Sequence, residues 1–334
     1  MRARAAGGIA ALVLGAALWS AAPVSAAPTE GAHRTTITAS ERSAALRFWT
    51  DARLRSARSL DTPAAASTPS AAPDATGRPA TAPKGEEVRV APLPAPRTAA
   101  APAPALAASA PAPWTGGGLI STTAGKVFFQ NAGGGTFACS ATVANADNRS
   151  LVLTAGHCVV DAGTGEVYRN WVFIPGYANG DRPYGTFTAS ALFHLDQYVA
   201  TAGNANYDLA FARLAPLNGR SLGDTVGAQG IAFNSATGRE VHSFGYGGSA
   251  AEGNGERLNH CSGVEYPDAG REGSTMWGID CVQTGGSSGG GFLADFDGGG
   301  GYLVGNISVS AGSSEYHPVL GNEALDLYRR AGAA

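Results

Sequence analysis

From Trp114 onward the chain is a succession of short apolar runs broken by Gly, Asn and Asp, and this pattern restricts the fold more than any other feature. The runs include KVFF at 126–129, FACSATVA at 137–144, SLVLTAGHCVV at 150–160, WVFIPGY at 171–177, DLAFARL at 208–214, EVHSFGYG at 240–247 and YLVGNISVS at 302–310. They are short, rich in β-branched and aromatic residues, and separated by residues that favour turns, which predicts an all-β sandwich or barrel. The 221 residues from 114 to 334 are many for one sandwich and suit two packed barrels. A single helix is expected near the C-terminus, GNEALDLYRRAG, with Asn322 as its cap and Arg329 and Arg330 in its last turn.

The first 113 residues read differently. Arg2 and Arg4 precede an apolar run from Gly8 to Trp19, and Val24-Ser25-Ala26 supplies small residues for a cleavage site, so residues 1–26 are expected to be a signal peptide. The run is shorter than the ~20 apolar residues a membrane span requires. Residues 40–60 suit a short helix with Ser40 as its cap and Ala45, Phe48, Trp49 and Leu54 on a rough apolar face. From Asp61 to Pro113 the chain is mostly Ala, Pro, Ser and Thr, too poor in apolar surface to offset ordering entropy, and is expected to be a disordered linker. Residues 27–113 are therefore either a propeptide or a spacer without a part in folding, in front of a domain at 114–334. Charge separates these parts: 12 Lys+Arg against 7 Asp+Glu up to residue 113, then 11 against 19. An acidic domain without a basic cluster argues against nucleic-acid binding. The expected mature protein is a secreted, extracellular monomer that needs no membrane once the signal is removed.

Four cysteines form two local pairs by spacing, Cys139 with Cys158 and Cys261 with Cys281. An exported chain with an even count is expected to be oxidised, and of three possible connectivities the two local bridges are favoured. Zinc is the competing use, since His157 adjoins Cys158 and His260 adjoins Cys261. Adjacent side chains diverge and no C-x₂-C spacing is present, so no metal or other cofactor is expected.

The segment TGGSSGGGF at 284–292 sets two serines among five glycines. A backbone able to bend this sharply can expose one hydroxyl beside converging N–H groups, the arrangement a nucleophilic serine requires. A base and an acid are available. His157, in TAGHC, follows the apolar run LVLTA and would stand at a strand end, and Asp208, in NYDLAFARL, leads into an apolar strand where a partly buried carboxylate could orient a histidine. Asp196, in HLDQY, is the nearest rival acid but precedes no comparable strand.

The order His157, Asp208, Ser288, with TAGHC, DLAFARL and GGSSGGG, resembles the chymotrypsin-type serine proteases, whose signatures are TAAHC, DIALL and GDSGGP. The CSATVA stretch at Cys139 adds a resemblance to the secreted bacterial glutamyl endopeptidases. The resemblance runs from about Trp114 to the C-terminus. It implies two packed antiparallel six-stranded β-barrels with a C-terminal helix, protein or peptide substrates, Ser288 as nucleophile, His157 as general base and acid, Asp208 as the orienting carboxylate, and the N–H groups of Gly286 and Ser288 as the oxyanion hole. Ser287 stands where the family has an acidic residue, so no ion pair with a new N-terminal ammonium is available. Gly291 stands in place of the family's proline. The substrate pocket is expected from Val282, Gln283, Ile307, Ser308, Val309 and Ser310; none is charged, which predicts an uncharged or weakly polar residue before the scissile bond, with Glu as runner-up. Two other readings remain to be weighed. Gly286–Gly290 also satisfies the G-x-S-x-G of α/β-hydrolase esterases, with Asp297 and His317 as formal partners, and a protease fold used only for binding would carry a damaged triad.

Overall fold

The computed structural model describes residues 1–2, 31–60, 85–96 and 109–333. The expected signal peptide, and the linker at 61–84 and 97–108, lie outside the described residues. Residues Gly31–Ala334 form one compact unit.

Six antiparallel strands close a barrel in the first half: Ala124–Gln130, Thr136–Ala144, Leu151–Thr154, Ala210–Leu214, Phe187–Leu195 and Arg169–Pro175, the last pairing back to both Ala124–Gln130 and Phe187–Leu195. LVLT at 151–154 is apolar on both faces because both faces are covered. Val152 points into the barrel with Val127, Val143 and Phe173, whereas Leu151 and Leu153 pack outward with Phe211, Phe233 and Leu327. DLAFARL alternates in the same way, with small Ala210 and Ala212 inside and the large Phe211 outside.

The second half consists of a seven-stranded sheet and a four-stranded sheet. The strand Gly300–Asn306 leaves the larger sheet at Ile307, whose N–H bonds Gly290 O and whose carbonyl accepts from Gly289 N–H, both at 2.8 Å. It resumes as Val309–Ala311 in the smaller sheet. Its backbone groups at the break are thus used to hold the glycine-rich segment.

The C-terminal helix is Asn322–Gly332. Its cap is Gly321 rather than Asn322, whose Oδ1 instead accepts from Asn234 Nδ2 at 2.8 Å. Ala324, Leu327, Tyr328 and Ala331 recur at helical spacing and are buried in the core shared with the barrel.

The segment before residue 114 departs from the sequence expectation. The first helix is Ala39–Phe48, capped by Thr38, whose hydroxyl accepts from Glu41 N–H while the Glu41 carboxylate accepts from Thr38 N–H. This reciprocal box fixes the start two residues ahead of Ser40's expected place. A second helix, Asp51–Ser56, follows. Ala45, Trp49 and Leu54 are buried against Phe128, Val172 and Ile174 of the barrel. Ala32–Thr36 adds an antiparallel strand beside Phe187–Leu195, and Arg58–Ser59 pairs in parallel with Thr136–Ala144. Disorder throughout 61–113 does not hold for its described parts: Val88–Val90 pairs with Gly230–Phe233, and Ala112–Pro113 pairs with Asn259–Val264. The VRV triplet there supplies β-branched residues that an open sheet edge can accept.

Both local disulfides form, Cys139–Cys158 and Cys261–Cys281. Each closes a loop of about 20 residues, so replacing either pair with serine is expected to lower unfolding free energy by on the order of 3 kcal/mol. Urea denaturation of the paired variants measures it.

Candidate active site

Strand pairing brings the histidine and the aspartate together. Leu151–Thr154 and Ala210–Leu214 are adjacent, with Thr154 opposite Ala210. His157 lies three residues past the end of one strand, in the 3₁₀ turn Gly156–Cys158, and Asp208 lies two residues before the start of the other. Asp208 Oδ1 accepts the backbone N–H of His157 at 2.8 Å, and Oδ2 stands 2.7 Å from His157 Nδ1. Oδ2 also accepts the Ser308 hydroxyl at 2.6 Å, and the Asp208 carbonyl accepts Asn306 Nδ2 at 3.1 Å. The aspartate is 1% exposed. Two contacts to one histidine fix the ring's position and place a proton on Nδ1, which leaves Nε2 as the basic nitrogen. His157 Nε2 is buried and has no hydrogen-bond partner.

The glycine-rich segment around Ser288 is held from several directions. Ser140 donates its N–H to Ser288 O and its hydroxyl to Gly286 O, both at 2.8 Å. Ser140 follows Cys139, and the Cys139–Cys158 bridge joins that strand to the residue after His157. One covalent link therefore connects the support of the Ser288 segment to the support of His157. Cys139, Cys158 and His157 bring three metal-ligating atoms within 4.8 Å, but the two sulfurs are bonded to each other, so neither is a thiolate able to bind zinc. Ser287 donates its hydroxyl to Thr284 O at 2.8 Å, which ties it to its own loop.

Gly248 N–H bonds Gly285 O at 2.8 Å. Because carbonyl and N–H point oppositely across a trans peptide, this turns the N–H of Gly286 the other way, where it donates to Leu60 O at 2.7 Å. Gly286 adopts φ of +96°, a region in which glycine has no steric penalty.

Two buried acids clamp the approach to the serine. Glu252, 2% exposed, accepts the Thr284 N–H at 3.1 Å and also the hydroxyls of Thr284 and Ser249. Glu315, fully buried, accepts the Gln283 N–H at 2.9 Å and the Ser243 hydroxyl. Among the described residues neither has a cationic partner, and burial pushes the Glu315 carboxyl up to about 7. The consecutive N–H groups of Gln283 and Thr284 thus each meet a carboxylate. Sequence reading missed both acids because neither lies in a recognisable motif; EGNGE and SSEYH resemble ordinary polar loops.

Of the expected pocket residues, Ile307 faces the core with Cys261, Cys281 and Phe292, and Ser308 is bonded to Asp208, so neither is a free pocket wall. Val282, Gln283, Val309 and Ser310 flank the segment as expected in sequence, with Gln283 buried and Ser310 partly exposed. Asp196 is exposed and accepts Gly31 N–H, remote in role from His157. The esterase partners are not assembled: Asp297 is exposed, and buried His317 pairs with Glu265 through Nε2 at 2.9 Å.

The family profile described as a trypsin-like peptidase domain matches residues 139–305. Among solved structures, the chain is similar to the protease Anisep from Arthrobacter nicotinovorans, with 38% identity over 64% of this chain and 96% of that one and a TM-score of 0.60. It is also similar to the thermostable serine protease AL20 from an extremophilic microorganism, with 34% identity over 65% and 99% and a TM-score of 0.60. A Glu endopeptidase shares the fold at 21% identity, covering 62% and 90%, with a TM-score of 0.50. No curated protein sequence matches the chain.

Because burial holds the Glu315 proton more tightly in the folded chain than at the ordinary 4.5, its contribution to stability is full below pH 4.5 and is lost as pH rises to about 7. In a Ser288→Ala background, Glu315→Gln is expected to remove a pH-dependent loss on the order of 3 kcal/mol. Urea denaturation from pH 4 to 8 measures the difference, and a flat difference would show that folding does not raise the Glu315 carboxyl.

Proposed function

Since the chain belongs to the trypsin-like peptidase family, we propose that it is a secreted serine endopeptidase, made as a latent precursor, that cleaves peptide bonds through Ser288, His157 and Asp208. The observation that carries this reading is the double grip of Asp208 on the N–H and Nδ1 of His157, with Nε2 left open. Ser288 attacks the scissile carbonyl while His157 Nε2 takes its proton. The carbonyl oxygen becomes an anion bound by the N–H groups of Gly286 and Ser288, and Asp208 stabilises the imidazolium. Collapse expels the amine, which takes the proton from His157, and leaves an acyl group on Ser288. Water, deprotonated by the same histidine, then releases the acid.

Residues 27–113 serve as the prosegment. Leu60 supports this, because its carbonyl already occupies the Gly286 N–H, and its own N–H bonds Ala138 O at 2.9 Å. A substrate oxygen could not use that donor until residue 60 withdraws. The acids at Glu252 and Glu315 support the further reading that the site needs no new N-terminal ammonium. Export fits the two disulfides, and no helix among the described residues is long and apolar enough to cross a membrane.

Ser288→Ala and His157→Ala are each expected to lower kcat/KM on peptide substrates by at least ~10³ without unfolding the chain. An organophosphonate should label Ser288 alone, and labelling at Ser287 would move the nucleophile by one residue. For latency, Leu60→Pro removes the N–H that bonds Ala138 O. The uncleaved precursor carrying it is expected to react with the phosphonate at least ~10-fold faster than the unaltered precursor, as loss of one hydrogen bond of ~1 kcal/mol and a strained neighbour would allow. Equal rates, read by intact mass, would remove Leu60 from any inhibitory role.

A further inference from the structure

A buried cation lies behind the glycine-rich segment. Lys126, in the strand Ala124–Gln130, is 4% exposed, and its ammonium donates to Gly255 O at 2.8 Å. The Glu256 carboxylate stands 3.5 Å from it and the Tyr177 ring 4.8 Å. The Tyr177 hydroxyl in turn bonds Glu256 at 2.8 Å. A charge buried this far is tolerable only with such partners, and here they fix the ammonium on one carbonyl.

Gly255 closes the loop 247–255. Its N–H bonds Gly247 O at 2.9 Å, so an ammonium on its carbonyl holds the two limbs of the loop together. The residues inside the loop meet the glycine-rich segment one peptide at a time. Gly248 N–H bonds Gly285 O at 2.8 Å, Ser249 N–H bonds the Thr284 hydroxyl at 2.9 Å, and Glu252 accepts the Thr284 N–H at 3.1 Å. The loop is a template for residues 284 and 285, and the orientation of the Gly285 carbonyl sets which way the Gly286 N–H points. Arg257 and Asn259 hold the far end, through Ala251 O at 2.6 Å and Glu252 O at 2.8 Å. Lys126 holds the return limb. It stands opposite Ser140 across the strand pair, and residues so placed share a face. Ser140 supports Gly286 O and accepts the Tyr246 N–H at 2.9 Å. Both supports of residues 284–286 therefore rise from one rigid pair of strands.

We propose that Lys126 is a positioning residue for peptide hydrolysis: by holding Gly255 it keeps the loop 247–255 on residues 284 and 285, and so aims the Gly286 N–H at the oxyanion. The first barrel supplies the ordering cation, where Ser287 leaves a new N-terminal ammonium without a partner. The proposal rests on the serine endopeptidase reading, and its test separates the two. Because the Gly286 donor matters most as charge develops on the substrate oxygen, loss of its aim lowers kcat and leaves KM nearly unchanged. Burial lowers the Lys126 ammonium below its ordinary 10.5, with Glu256 opposing. The charged and titratable groups around it are Glu256, Glu252 and Arg257 of the loop, the Tyr177 and Tyr246 hydroxyls, both raised by burial, and Arg182, which acts on Tyr177 and pairs with Asp51.

The test uses the protein secreted from full-length expression, after processing, with peptide substrates. Organophosphonate labelling reports the reactive serine, and tryptophan fluorescence reports the folded fraction. Lys126→Met keeps the length of the side chain and removes its charge. It is expected to lower kcat per folded molecule by at least ~10-fold with KM within ~3-fold, and Lys126→Arg to bring kcat back within ~3-fold of the unaltered enzyme. In the unaltered enzyme kcat per folded molecule should fall at least ~3-fold between pH 8 and 10.5 at constant KM, and Lys126→Arg, whose guanidinium keeps its proton, should lack this fall. A structural role alone would change the folded fraction and move neither quantity. Unchanged kcat in Lys126→Met, or the same alkaline fall with arginine in place, would overturn the proposal. Should Lys126→Met not fold, the pH profiles decide, and a flat kcat in the unaltered enzyme overturns the proposal as well. An unaltered protein that neither labels at Ser288 nor cleaves any peptide would overturn the endopeptidase reading itself.

Discussion

The arrangement of the whole site depends on one buried carboxylate. Asp208 meets the backbone N–H and Nδ1 of His157, the hydroxyl of Ser308 and, through its carbonyl, the amide of Asn306. A charge held at 1% exposure is tolerable only with such complete hydrogen bonding. The same bonds fix relations between parts distant in sequence. His157 belongs to the first barrel, whereas Asn306 and Ser308 belong to the strand that crosses between the two sheets of the second half. Satisfying the aspartate therefore aligns the two halves across the site.

The glycine-rich loop around Ser288 follows the same logic with different groups. Peptide units from 283 to 288 are pinned by Glu315, Glu252, Gly248 and Ser140 in turn. With Ser287 in place of an acid, organisation of the loop comes from carboxylates that reach it from other segments. Such acids raise the local cost of burial, visible in the upward shift of Glu315.

The segment before residue 114 is integrated rather than merely attached. It contributes a strand beside the first barrel, a short parallel pair on Thr136–Ala144 and an edge strand on the second half. One of its basic residues finds an acidic partner in the following domain, Arg89 with Asp295, while Arg182 of the domain pairs with Asp51 in the reverse sense. These exposed ion pairs add little individually. Burial of Trp49 and Leu54 contributes more, because apolar area removed from water is not screened by salt.

The sequence by itself determined whatever a local run of residues can specify: the all-β class, the C-terminal helix, the two near-neighbour cystine pairs, and the three residues whose flanking signatures make them candidates for the chemistry. TAGHC, DLAFARL and the glycine-rich segment carry this information because strand ends and tight turns are encoded by adjacent residues. Only the tertiary structure decided what depends on register and on contacts between remote segments. Ser308 became a support for Asp208, Ile307 a core residue, and Glu252 and Glu315 the clamps of the loop, and Leu60 reached the Gly286 N–H. None of these roles leaves a local trace, since a hydrogen bond between residues 32 or 226 positions apart is set by how strands pair, and a glutamate in a polar loop looks the same in sequence whether it meets water or a buried amide.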